Sequence, residues 1–200
     1  APTGVEQRQV TRGNWDVTRL IGLDEATNTV YFEAADESPL RRSVCRVDAK
    51  GVKTNRSKLP GTNAATFSKN YAYYVLRHSS ATTPTIATLH ETKSGKELRT
   101  LQDNAQLRER LAKLSYAPKE FFTVRTADGV ELNAWMVKPA DFNAKKKYPV
   151  LMTQYSGPNS QSVLDRFEFG WEECLAAHGV ITVCVDGRGT GARGEEFRKC

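Results

Sequence analysis

The stretch YPVLMTQYSGPNSQ, residues 148–161, decides how the second half of the chain is read. Its first six residues form a continuous apolar run, the pattern of a strand buried on both faces. Gly157-Pro158 then break the chain and leave Tyr155 at the strand's mouth. In α/β proteins the carboxyl end of such a strand is where chemistry is placed. A phenol stays protonated at pH 7 and can donate a hydrogen bond where negative charge develops. Tyr155 is therefore the candidate functional side chain. Its plainer reading is a strand-end aromatic packed on its neighbours.

The flanking sequence supports a mixed sheet. Downstream, Phe167, Trp171, Cys174, Leu175 and His178 form a helical stripe that Gly179 stops. VITVCVD, residues 180–186, reads as another buried strand and runs into GRGTGARG. Upstream, EFFTVRTADGVELNAWMVKP, residues 120–139, has two alternating runs around Asp128-Gly129, a two-residue hairpin signal. A hairpin followed by strand–helix–strand implies a mixed sheet with an α/β core.

The first half is different. NTVYFEAAD (28–36), RRSVCRVDAKG (41–51), NYAYYVLRHSS (70–80) and PTIATLHETKSG (84–95) read as strands. They repeat at one offset, 70 − 28 = 42: Asn28 with Asn70, Tyr31 with Tyr73, Phe32 with Tyr74, Val44 with Ile86, Val47 with Leu89 and Leu59 with Leu101. A period of roughly 40–50 residues holding four strand-sized pieces is that of a propeller blade. Two blades cannot close a ring, which takes about 4–8. Between the halves, Leu107, Leu111 and Leu114 lie on one helical stripe, with Asp103 or Asn104 as its cap and Gln106 available for a capping box. Both halves read as cut, one on each side.

Composition excludes several classes. The chain has 200 residues, 39% hydrophobic and 26% charged, which is globular. The net charge is +6, but the only basic run is Lys145-Lys146-Lys147, with no aromatic pattern beside it, and it reads as a solvated loop rather than a nucleic-acid surface. No apolar run reaches the length of a membrane span, and the first residues are not a signal peptide. Cys45, Cys174, Cys184 and Cys200 form no CxxC pair; Cys174 and Cys184 read as small core hydrophobes. His78, His90 and His178 read as structural. No metal or other cofactor is expected.

GTGARG, residues 189–194, fits Gly-x-Gly-x-x-Gly after a strand, but its glycines are explained equally by a tight turn. No Gly-x-Ser-x-Gly elbow occurs, so the chain carries no hydrolase nucleophile of that type.

Taken together, the repeat, TRGNWDV (11–17), TLQDNAQL (100–107), KKYPVLM (146–152) followed by YSGPNSQ (155–161), FEFGW (167–171) and VDGRGTGARG (185–194) carry a resemblance. The sequence resembles the dipeptidyl peptidase IV family of serine peptidases, in the prolyl oligopeptidase group. The resemblance implies the last two blades of a β-propeller over residues 1–103. Residues 104–200 would then be a connecting helix and the first portion of an α/β-hydrolase domain. It implies that Tyr155 donates its hydroxyl to the oxyanion, beside a backbone N–H near the serine. Ser156 and Asn159 stand where relatives often have other small residues. The triad Ser, Asp and His would follow Cys200, the glutamates that hold the substrate's amino terminus would precede this chain, and Asp186 and Arg188 would be structural. The activity implied is release of X-Pro or X-Ala dipeptides from peptide substrates. The full-length protein would be a homodimer with no nucleic-acid partner and no integral membrane segment here, in a periplasmic, cell-surface or secreted location. The piece alone would be inactive and unstable as a monomer. The alternatives are an acylaminoacyl peptidase or endopeptidase of the same group, or a non-catalytic binding module.

Overall fold

The computed structural model describes Gly4, residues 9–155 and residues 157–199; Ser156 and Cys200 lie outside them. Among the described residues the chain is mostly β, with twelve strands in three four-stranded sheets and three short helices.

The first sheet is β1 (Val17–Asp24), β2 (Thr29–Ala34), β3 (Ser43–Val47) and β4 (Lys53–Asn55), each antiparallel to the next. The second repeats that plan with β5 (Thr62–Phe67), β6 (Tyr73–Ser80), β7 (Thr83–Glu91) and β8 (Glu97–Gln102). Asn28 and Tyr71, each with φ above 50°, turn the chain into β2 and β6. A left-handed backbone suits asparagine, but for an aromatic residue it is a strained position held by packing. Tyr71 is held by its stack on Tyr31, ring centroids 5.4 Å apart.

The repeat of 42 holds at some positions and not at others. Phe32 and Tyr74 are equivalent core residues, 2% and 1% exposed. Val44 and Ile86, and Val47 and Leu89, fall on the third strand of each sheet. Yet Phe32 faces Cys45 while Tyr74 faces His90, a partner offset of 45. The difference lies in the connections: a loop of eight residues separates β2 from β3, while β6 and β7 are joined by a tight two-residue turn. Leu59 and Leu101 do not correspond, since Leu59 lies in the loop before β5 and Leu101 in β8.

Two apolar clusters hold these sheets. Val44, Ala65, Tyr74 and Leu76, with Ile21 and Phe67, fill the space between them. Phe32, Ala34, Cys45 and Val47 pack on the other face of the first sheet, under Trp15. β2 is therefore buried on both faces, whereas β6 alternates. Each fully buried large apolar side chain contributes about 1.5–3 kcal/mol. An exposed ion pair such as Lys199–Glu195 contributes about 0–1 kcal/mol, so the clusters dominate stability.

α1 (Ala105–Leu111) follows. It is shorter than its leucine stripe: Leu111 is buried, while Leu107 and Leu114 are exposed. The expected capping box is absent. Asn104 takes the N-cap position with φ 54° and spends its amide on the Thr85 carbonyl, while Asp103 accepts the Ala105 N–H at 3.0 Å.

The third sheet is mixed, in the order β11-β12-β10-β9. β9 (Glu120–Arg125) and β10 (Glu131–Val137) form an antiparallel hairpin. Its connection is longer than the two residues expected. Thr126 pairs with Val130, and the Gly129 N–H donates to the Thr126 carbonyl at φ +87°, a type I turn closed by a left-handed glycine. β12 (Ile181–Val185) runs antiparallel to β10 and parallel to β11 (Val150–Thr153).

Two expectations differ from what these residues show. β11 is exposed within this chain, Val150 and Met152 at 61% and 57%. It is an edge strand, and α2 (Trp171–Ala177) packs on β12 and β10 instead. The helical stripe is also rotated. Glu173 and Ala176 face the sheet, while Trp171 and Cys174 are exposed, so Cys174 is not a core residue. The buried Glu173 carboxylate accepts the Gly170 N–H at 2.7 Å and so caps its own helix. Gly179 ends the helix as expected, at φ +80°. α3 (Glu195–Lys199) completes the described chain.

Candidate active site

Tyr155 stands two residues beyond β11, at the carboxyl end of the parallel β11–β12 pair. Its side chain is 67% exposed. It borders a cleft of about 320 Å³ with Trp135, Gln161, Arg166, Glu168 and Cys184. The phenol lies against Gly157, where a β-carbon would sit 2.9 Å from its oxygen. Only the absence of a side chain at 157 allows that position.

Hydrogen bonds shape the loop behind the tyrosine. The Ser160 hydroxyl donates to the carbonyls of Tyr155 (3.2 Å) and Gly157 (2.6 Å), and the Ser160 N–H donates to Gly157 as well. The glycine-rich segment after β12 lies alongside. The Asn159 N–H donates to the Gly189 carbonyl at 3.0 Å, and the Gly191 N–H donates to the Ser160 carbonyl at 2.9 Å. A β-carbon on Gly191 would meet Asn159 at 2.9 Å on its side-chain oxygen and 3.1 Å on its backbone oxygen. These glycines serve a loop-to-loop contact.

Asp186 locks the far end of the loop. It is buried, and its carboxylate accepts the N–H groups of Ser162 (2.9 Å) and Val163 (3.0 Å). Burial raises its pKa, against the lowering effect of those two bonds. Arg188 pairs with Asp128 in the β9–β10 turn. The roles of both residues are therefore contacts within the fold.

One wall of the cleft is charged. Lys119, its side chain 3% exposed, donates to Glu168 at 2.6 Å and sits 4.6 Å above the Trp135 ring. Arg166 holds Glu168 from the other side at 2.5 Å. Burial pushes the Glu168 carboxyl up, but the bonds and charges of Lys119 and Arg166 outweigh it, and its pKa lies below the usual glutamate range. Sequence reading missed this group. Its only trace is the clustering of charge in DRFE just before a helix.

Three of the other candidate groups, Cys45, Cys184 and His78, are buried. Burial, with Asp36 beside it, pushes the Cys45 thiol up to about 12. Burial likewise raises Cys184. His78 is pushed down by burial, and its ring pairs with Asn63 at 3.0 Å. Among the described residues no group of three or more His, Cys, Asp or Glu is placed to hold a metal. No described helix is long and apolar enough to cross a membrane.

Among the described residues, the cleft thus presents one exposed phenol on a braced loop. Several known proteins are similar to this chain. The dipeptidyl peptidase IV (DPP IV) N-terminal region model matches residues 1–85. The crystal structure of Porphyromonas gingivalis dipeptidyl peptidase 4 superposes with a TM-score of 0.94 at 59% identity, covering 98% of this chain and 28% of that one. A probable dipeptidyl-aminopeptidase B of Fusarium vanettenii is 36% identical over 96% of this chain, and dipeptidyl-aminopeptidase B of Aspergillus niger is 36% identical over 94%. The chain belongs to the dipeptidyl peptidase IV family. It spans 22% of the length of each of those two curated relatives.

Proposed function

We infer that this chain is part of a serine exopeptidase that releases N-terminal X-Pro or X-Ala dipeptides, in which Tyr155 donates a hydrogen bond to the oxyanion. The observation that carries this reading is the exposed phenol at the end of a parallel strand, seated over Gly157 and facing a cleft. When a serine oxygen attacks the scissile carbonyl, the carbonyl oxygen becomes negative. A neutral donor fixed beforehand stabilises that charge without reorganising.

The same reading takes residues 1–103 as the last two propeller blades and residues 104–200 as a connecting helix and the start of an α/β-hydrolase domain. The two antiparallel four-stranded sheets in series support the first assignment, and the mixed third sheet supports the second. The apolar side chains Leu20, Leu98, Leu101, Val150, Met152 and Trp171 are exposed, as befits sheets whose faces are covered by further elements. The nucleophile, acid and base are assigned to the remainder of the parent protein, so this piece alone is inactive. Full-length protein is proposed to pair as a homodimer.

The activity is tested by giving the full-length protein Gly-Pro-p-nitroanilide with a free or an acetylated amino terminus. Cleavage of the free substrate alone supports the dipeptidyl reading. Cleavage of the acetylated form as well, or in preference, makes it an endopeptidase; cleavage of acetyl-Ala-p-nitroanilide instead of either makes it an acylaminoacyl peptidase, and cleavage of none a non-catalytic module.

A further inference from the structure

The loop that carries Tyr155 is anchored outside its own sheet. Asp165 is the main anchor. Its carboxylate accepts the Ala81 N–H at 2.9 Å and the Arg41 Nε–H at 3.3 Å. Its N–H donates to the Leu40 carbonyl at 2.8 Å, and its carbonyl accepts the Thr62 hydroxyl at 3.0 Å. One residue thus binds the β2–β3 loop, the start of β5 and the β6–β7 turn. Gln161 adds to it: its Nε2 donates to the Pro39 carbonyl at 2.7 Å, and Arg42 donates to its Oε1. Leu40 also packs into the apolar core of the third sheet.

These contacts bear on Tyr155 through a short, continuous path. Asp165 and Gln161 fix the two ends of residues 161–165. Asp186 fixes Ser162 and Val163 between them. Ser160, next in line, bonds the carbonyls of Tyr155 and Gly157. Tyr155 lies two residues beyond the outermost described strand of its sheet, 67% exposed, with its phenol against Gly157.

We propose that Asp165 is a positioning residue for the reaction: it ties the Tyr155 loop to the first two sheets, so that their placement sets where the phenol stands. The proposal rests on the oxyanion role given to Tyr155. Asp165 itself touches neither substrate nor reacting atoms. Its effect passes through Tyr155, so it acts on kcat and leaves KM unchanged. Small misplacements of a catalytic group cost on the order of 10²-fold. Loosening one anchor of several is expected to cost about 10-fold.

A double-mutant cycle in the full-length enzyme tests this, reading kcat and KM with Gly-Pro-p-nitroanilide for wild type, Asp165→Ala, Tyr155→Phe and the double variant. The expected result is an approximately tenfold loss in kcat for Asp165→Ala in the wild-type background and no further loss in the Tyr155→Phe background. Arg41→Gln, which removes a half-exposed partner, is run in the same cycle and keeps the test readable if Asp165→Ala does not fold. Equal losses in both backgrounds overturn the coupling while leaving the role of Tyr155 intact. A Tyr155→Phe enzyme with normal kcat overturns the oxyanion reading, and the coupling with it.

Discussion

The phenol of Tyr155 and the α-carbon of Gly157 are in such close contact that a β-carbon on Gly157 would stand 2.9 Å from the phenol oxygen and 3.0 Å from the ring carbon that bears it. The loop thus holds its functional group by leaving out a side chain.

Gly157→Ala should therefore move the phenol rather than break the fold. The atoms in the way are the far end of an exposed side chain, which swings aside at low cost. The expected outcome is a kcat lowered about 10-fold or more, with a melting temperature close to wild type. Steady-state kinetics beside a thermal melt of the full-length variant check it. Unchanged kcat would mean that the seat on Gly157 is irrelevant to catalysis.

Gly191→Ala should act differently. There the added carbon meets the Asn159 backbone as well as its side chain, and backbone does not yield cheaply. A loss of about 1–3 kcal/mol in stability is expected, measured by denaturant unfolding. A neutral substitution would show that the two loops are not in fixed contact.

The Lys119–Glu168–Arg166 group gives a pH dependence. The folded-state pKa of Glu168 lies below its unfolded value, after burial and the two cations have acted in opposite directions. Such a carboxylate contributes stability that is present above the ordinary glutamate pKa and lost as pH falls through the lowered folded value. Glu168→Gln should lower the melting temperature at pH 7, and the gap to wild type should narrow on the acid side of that range. A gap that stays constant from pH 7 to pH 3 would contradict the assignment.

The buried thiols should be silent. With Cys45 pushed up to about 12 and Cys184 raised by burial, neither carries appreciable thiolate at neutral pH. Iodoacetamide treatment at pH 8 followed by mass spectrometry should leave both unmodified until the protein is unfolded. Labelling of either in the folded protein would show that its cluster opens.

The sequence was legible where its signals are local. The aromatic and β-branched runs marked β2, β3, β6 and β7, Gly179 marked the end of α2, and Gly157-Pro158 marked the break after β11. Apolarity did not match burial within this chain everywhere. VLM in β11 and Trp171 on α2 are apolar yet exposed, because a residue's hydrophobicity does not say which neighbour covers it. The third-strand drift came from loop length, which a fixed repeat offset cannot express. The anchors of the Tyr155 loop left no pattern at all. Asp165 meets Arg41 and Ala81 across separations of 124 and 84 residues, and only the fold brings them together.

The most direct test of the central claim is the turnover of full-length Tyr155→Phe, which deletes one hydroxyl and keeps the ring. Loss of a single oxyanion donor costs on the order of 10²–10³ in kcat. A fall of that size in kcat is expected, with KM and melting temperature essentially unchanged. Near-normal turnover would contradict it and return Tyr155 to the role of a strand-end aromatic.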